Sequence, residues 1–121
     1  MKEKILAIAL LIIIPLAVTL NTIILTQQIE KMTNDVSRID IKKTEAKNEA
    51  ERVFEDFSRK EIFFSLTVSH DDLTNVEECF TEMIGYLSVG DSNNAEVTKR
   101  RLIYSLEHLR RLSGFNLDAI V

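Results

Sequence analysis

Residues Ile5 to Ile29 carry no charged side chain, and this stretch limits what the chain can become. Its most apolar part, ILAIALLIIIPLAVTLNTIIL from Ile5 to Leu25, is 21 residues long. As a helix rising about 1.5 Å per residue it would reach roughly 32 Å, enough to cross a hydrocarbon core of about 30 Å. In lipid only a helix or a closed barrel satisfies every backbone N–H and C=O, and one isolated segment can only be a helix. The remainder is polar and helix-patterned. With 3 Gly, 1 Pro and no Trp in 121 residues, it is unsuited to a loop-rich or β fold. The expected fold class is all-α: one N-terminal transmembrane helix followed by a small antiparallel helical bundle of three to four helices. The expected division is a short N-terminal tail (1–4), a transmembrane helix (5–25), a juxtamembrane helix (26–40) and an extracytoplasmic helical domain (41–121).

Other readings of the apolar run fit less well. A cleaved signal peptide has an apolar core of about 7–15 residues followed by small residues at the cut. Ala17-Val18-Thr19 resembles such a site, but the run continues through Ile23, Ile24 and Leu25 with no polar region before the cut. A lipoprotein needs a cysteine just after the run, and the only cysteine is Cys79. A buried core helix would be shorter and would show a polar side. Pro15 removes one backbone donor, which membrane helices tolerate. Thr19, Asn21 and Thr22 lie near the far end, placed to reach headgroups or to bond to a second copy. Lys and Arg near the two ends of the run show no clear bias, so charge does not enforce an orientation. A very short basic start before the run resembles a signal anchor, which places the amino terminus inside and the domain outside.

The formal charge is −4, and from Thr26 onward there are 13 basic and 18 acidic residues. That balance offers no net attraction to nucleic acid or to anionic lipid. A single cysteine makes no internal disulfide, so the domain is held by its core alone.

Beyond the run, Ile29, Met32, Val36 and Ile39 recur at 3-4-3 spacing, a heptad seam suited to self-association beside the membrane. Ser37-Arg38-Ile39-Asp40 reads as a capping box, predicting a break at 37–41 and a second helix from about Lys42 to Val68. Its aromatic half places Phe54, Phe57 and Phe64 on one face, the pattern of a packed core. Ser69-His70-Asp71-Asp72 is a second capping box, opening a helix over about 71–89 with Leu73, Val76, Phe80, Met83, Ile84 and Leu87 inward. Gly90 stops it, and Asp91 or Ser92 caps the next helix. That helix is expected to run to about Ser113 with Ala95, Leu102, Leu106 and Leu109 inward. Gly114 would end it, and Phe115, Leu117, Ile120 and Val121 would fold back on the bundle. Two helices joined by about three residues must lie antiparallel. Their charges agree: from Glu61 to Thr98 there are eight acids and no Lys or Arg, whereas Lys99, Arg100, Arg101, Arg110 and Arg111 follow.

The block FFSLTVSHDDLTNVEECFTEMIGYLSVGDSNNAEVTKRRLIYSLEHLRRLSGFNLDAI, behind an amino-terminal apolar run, resembles a family of small bacterial proteins known as domain of unknown function 4363. The likeness rests on Ser69-His70-Asp71-Asp72, Tyr86-Leu87, Asp91 and Glu107-His108, and covers roughly Ala46 to Ile120. Phe54 or Phe63 stands where the family usually has Trp. The resemblance implies a membrane-anchored helical domain and no activity.

His70, Asp71, Asp72, Glu107 and His108 are the one constellation suited to chemistry. Antiparallel packing would bring His108 toward the start of the preceding helix, where the five are weak candidates for a divalent metal site. The competing reading is structural: the aspartates cap a helix, and His108 sits near the negative end of another. No two of them have the i, i+4 spacing of a recognised zinc motif. Cys79, beside Val76, Phe80 and Met83, reads as a buried small hydrophobe, with an intermolecular disulfide as the sharper alternative. There is no nucleophile triad spacing and no glycine-rich phosphate loop, so neither an enzyme nor a cofactor is expected. The expected partners are a lipid bilayer, through Ile5 to Leu25, and a protein partner or a second copy, with no nucleic acid. Two function classes follow. One is a non-catalytic helical module mediating protein–protein interaction or a structural role at the bacterial cell envelope. The other is a ligand-sensing helical bundle. With four residues before the span, that bundle would have to act through a partner receptor.

Overall fold

The computed structural model describes residues 1–120, with side chains through Leu112. The described residues are all-helical: α1 (Lys2–Ser37), α2 (Ala46–Ser65), α3 (His70–Ser88) and α4 (Ser92–Ile120). The apolar run and the juxtamembrane segment are not two helices. They form the single 36-residue α1, which continues through Pro15. It is long and apolar enough to cross a membrane, a test that a signal sequence also passes. The threonines that were candidates for bonding to a second copy turn back on their own helix. Thr19 Oγ1 donates to Pro15 O at 2.8 Å and Thr22 Oγ1 to Val18 O at 2.9 Å. This local bond is available to any helical Thr and satisfies the hydroxyl without a partner.

α1 changes character along its length. Ile5, Leu11 and Ile14 are 68%, 73% and 59% exposed, whereas Leu25, Ile29, Met32 and Val36 are buried in the core. The heptad seam expected to serve self-association is therefore already occupied by the chain's own α2 and α4, which pack on α1. The hydrophobic core takes in α1 from Leu25 onward.

The end of α1 corrects a second expectation. Ser37 does not open a capping box. It is the last residue of α1, and its hydroxyl donates to Thr33 O at 2.8 Å. Asp40 instead accepts the Lys42 N–H at 3.1 Å in the connecting loop, and α2 starts at Ala46 rather than Lys42. Ile39 and Ile41 are buried and fasten this loop to the core. The last turn of α1 holds no basic residue. Lys99 of α4 brings a cation just beyond this end, donating from Nζ to Ile39 O of the loop at 2.7 Å, near the negative end of the helix dipole.

The turns around α3 form where their residues dictate. Ser69 is in extended conformation and its side chain accepts the Asp72 N–H. The box is not fully reciprocal, because Ser69 Oγ also donates to Asp72 Oδ2 at 2.6 Å. At the other end the Gly90 N–H bonds Leu87 O and the Asp91 N–H bonds Tyr86 O, with Gly90 at φ +74°. This pair of bonds needs a left-handed residue, which glycine supplies without a Cβ clash. Of the two candidates for the next cap, Asp91 takes the role, its carboxylate accepting the Asn94 N–H at 3.2 Å. Gly114 does not end α4, which continues to Ile120. A glycine inside a helix costs about 1 kcal/mol relative to alanine, too little to stop a helix where no left-handed turn is required. The expectation for the side chains of Phe115, Leu117, Ile120 and Val121 lies outside the described residues.

The core is built from the stripes that the sequence marks. Phe57, Phe64 and Phe80 are fully buried, and Phe54 stacks on Phe80 with centroids 5.1 Å apart. Leu73, Val76, Cys79 and Met83 face Ala95, Leu102, Leu106 and Leu109 within one cluster. Phe63 lies outside this core, 58% exposed.

Candidate functional site

α3 and α4 pack closely, and polar contacts between described side chains join them. Arg101 Nη1 meets Glu82 Oε2 at 2.8 Å, Cys79 Sγ lies 3.9 Å from Ser105 Oγ, and His108 Nε2 lies 3.7 Å from Asp72 Oδ1. The last of these joins two of the five candidate ligands. His70, Asp71 and Glu107 are exposed, and Asp72 is also engaged by Ser69. Among the described residues no three His, Cys, Asp or Glu side chains converge as a metal ion requires. At 3.7 Å the imidazole and carboxylate form an ion pair only when His108 is protonated. Asp72 thus serves two local purposes: it accepts the capping hydroxyl at the start of α3, and it faces a histidine on α4. Asp72, Asn75, Tyr104, Ser105 and His108 line a half-open groove of about 250 Å³ along this seam. Its walls are polar, and Tyr104 is further engaged by Arg111, whose guanidinium carbon sits 5.8 Å from the ring centre.

Cys79 is buried, which withholds its thiol from a partner chain. Arg101 is held above its ordinary value, first by its hydrogen bond to Glu82.

One group was invisible to sequence reading. Glu61 on α2 and Glu77 on α3 are brought together, and the carboxyl of Glu77 is pushed above the usual carboxylate range. The first cause is a hydrogen bond shared with Glu61, followed by partial burial and the like charge, while His70 pulls the other way. Sixteen residues separate the two in sequence, and no local spacing marks them as neighbours. Lys99 is the other omission. It opens the basic run that the sequence displays, but its partner is a backbone carbonyl in the loop after α1, which carries no sequence signal.

No family model matches this chain, nor does any curated protein or solved structure.

Proposed function

We propose that this chain is a membrane-anchored, non-catalytic helical module, mediating protein–protein interaction or a structural role at the bacterial cell envelope. The observation that carries the reading is the division of α1. Over Ile5–Ile24 its large apolar side chains are exposed, whereas from Leu25 its inner face is packed against the other helices. Water does not tolerate so large an exposed apolar surface, and lipid requires one. In this reading α1 crosses the bilayer once, with Lys2 and Lys4 inside and the bundle outside. The bundle is antiparallel. Support comes from the paired positions on α3 and α4, which run in opposite senses: 72 with 108, 79 with 105, 82 with 101. The resemblance to domain of unknown function 4363 agrees with this anchored arrangement. The groove along α3 and α4 is half-open and lined by polar side chains, which suits a surface contact better than an enclosed apolar ligand.

A reporter active only outside the cytoplasm, fused after Val121, tests the reading together with a size check for cleavage. Activity at full length is expected. Activity with loss of the first twenty or so residues would show a secreted domain, and inactivity would place the bundle inside.

A further inference from the structure

Among the described residues beyond the apolar run, the strongly exposed large hydrophobic side chains include three that are close in sequence: Ile62, Phe63 and Leu66, at 74%, 58% and 76%. They flank the end of α2 and the turn into α3. From Ile62 through Ser69 the chain carries no charge. The core does not need them, since Phe64 and Val68 supply its contacts in this region.

Position within the bundle identifies what covers this patch. One end of the bundle gathers the 38–45 loop and the α3–α4 turn. Lys99 reaches Ile39 O there, and Ile41, Lys43, Leu87 and Gly90 line a shared groove. α3 then runs from Ser88 back to His70, about 27 Å at 1.5 Å per residue. Along α1, Ser37 back to Thr22, where burial begins, spans only about 22 Å. The α2–α3 turn therefore lies at the end where α1 leaves the bundle, level with the last turns of the apolar run. Rings and branched chains at that depth sit at the boundary between headgroups and acyl chains.

We infer that the α2–α3 turn, through Ile62, Phe63 and Leu66, is a second membrane contact, dipping into the same lipid leaflet from which α1 emerges. This rests on the anchored reading above. Two contacts on one rigid bundle fix its tilt, so the domain stands against the bilayer instead of swinging on a tether. The contact is apolar: the domain is acidic overall, so it holds on neutral lipid and is insensitive to salt.

The chain contains no tryptophan, so one introduced at an exposed position is a unique fluorophore. Full-length Leu66→Trp, Val89→Trp (at the opposite end) and Ile13→Trp (mid-run) would each be placed in phosphatidylcholine vesicles. Lipids brominated near the headgroup, lipids brominated deep in the chain, and aqueous iodide would serve as quenchers. Leu66→Trp is expected to be blue-shifted and quenched roughly twofold by shallow bromolipid, as insertion of about 5–10 Å requires. Val89→Trp should respond to iodide alone and Ile13→Trp to deep bromolipid. If Leu66→Trp behaves like Val89→Trp while Ile13→Trp responds to lipid, the second contact is refuted and the anchor stands. If Ile13→Trp escapes the deep bromolipid, both fall. If Leu66→Trp is shielded from lipid and iodide alike, a second copy or another protein covers the patch, and the lipid contact is refuted.

Discussion

The two halves of α1 share a helix and differ in burial. Toward the N-terminus, Ile12, Ile13 and Leu16 are about as exposed as their neighbours on every side of the helix. Past Leu25, burial follows the face Leu25, Ile29, Met32 and Val36, while Glu30, Lys31 and Asp35 lie outside it. A uniform apolar coat fits a uniform apolar medium, whereas a stripe fits a boundary between a core and water. One continuous helix that changes from coat to stripe transmits position without a hinge, so under the proposed anchoring the depth of the run sets where the bundle sits. α2 is the contrast, since it ends in a turn whose apolar side chains point away from the core.

The comparison breaks first at the stripe. Met32→Ala removes a fully buried side chain and is expected to cost about 2–5 kcal/mol. The measurement is thermal melting of the full chain in detergent, followed by circular dichroism. Ile12→Ala, on the coat, should leave the melt within about 0.5 kcal/mol of the parent. Equal losses would mean that the run packs on protein. The reciprocal change is Ile13→Asp, which should disfavour insertion by about 3 kcal/mol, on the order of a hundredfold in partition. Carbonate-washed membranes should lose the variant, yet its bundle should melt as the parent does.

Lys99→Met tests how the stripe end is fastened. It keeps the aliphatic stem and removes the charged donor to Ile39 O, with an expected cost of about 1.5 kcal/mol. Ser69→Ala should cost about 1 kcal/mol, since it deletes the cap of α3. Limited proteolysis would distinguish them, with the first opening the 38–45 loop and the second the α2–α3 turn.

What the sequence made legible divides along the same line. Periodicity marked the stripes of α3 and α4 because burial there repeats every three or four residues. Gly90 and Ser69 were readable because a left-handed turn and a helix cap each demand few residue types. Ser37-Arg38-Ile39-Asp40 had the same spelling as the Ser69 box but did not form one, since a hydroxyl inside a helix has its own carbonyl four residues back to bond. The seam Ile29-Met32-Val36-Ile39 was read correctly as apolar and wrongly as free. A heptad states that a face is buried and not which chain buries it. Of the candidate metal ligands, only Asp72 and His108 approach each other, because the rest project from other faces of their helices.

The smallest effect concerns Glu61 and Glu77, and it comes from outside the stripes. The folded chain raises the Glu77 value, so the fold binds that proton more tightly than the unfolded chain does. The resulting stability is fully present below the ordinary carboxylate value and is lost as pH rises through the raised one. Above it, two like charges face each other on α2 and α3. Glu77→Gln keeps a donor toward Glu61 at every pH and removes one charge. The variant should therefore melt slightly higher than the parent near neutral pH, by less than about 1 kcal/mol at a site only partly buried, and identically in acid. Melting curves across that range decide it. A variant that gains nothing at neutral pH would show that solvent already screens the pair and that α2 is held to α3 by its apolar packing, with Phe54 and Phe57 against Phe80.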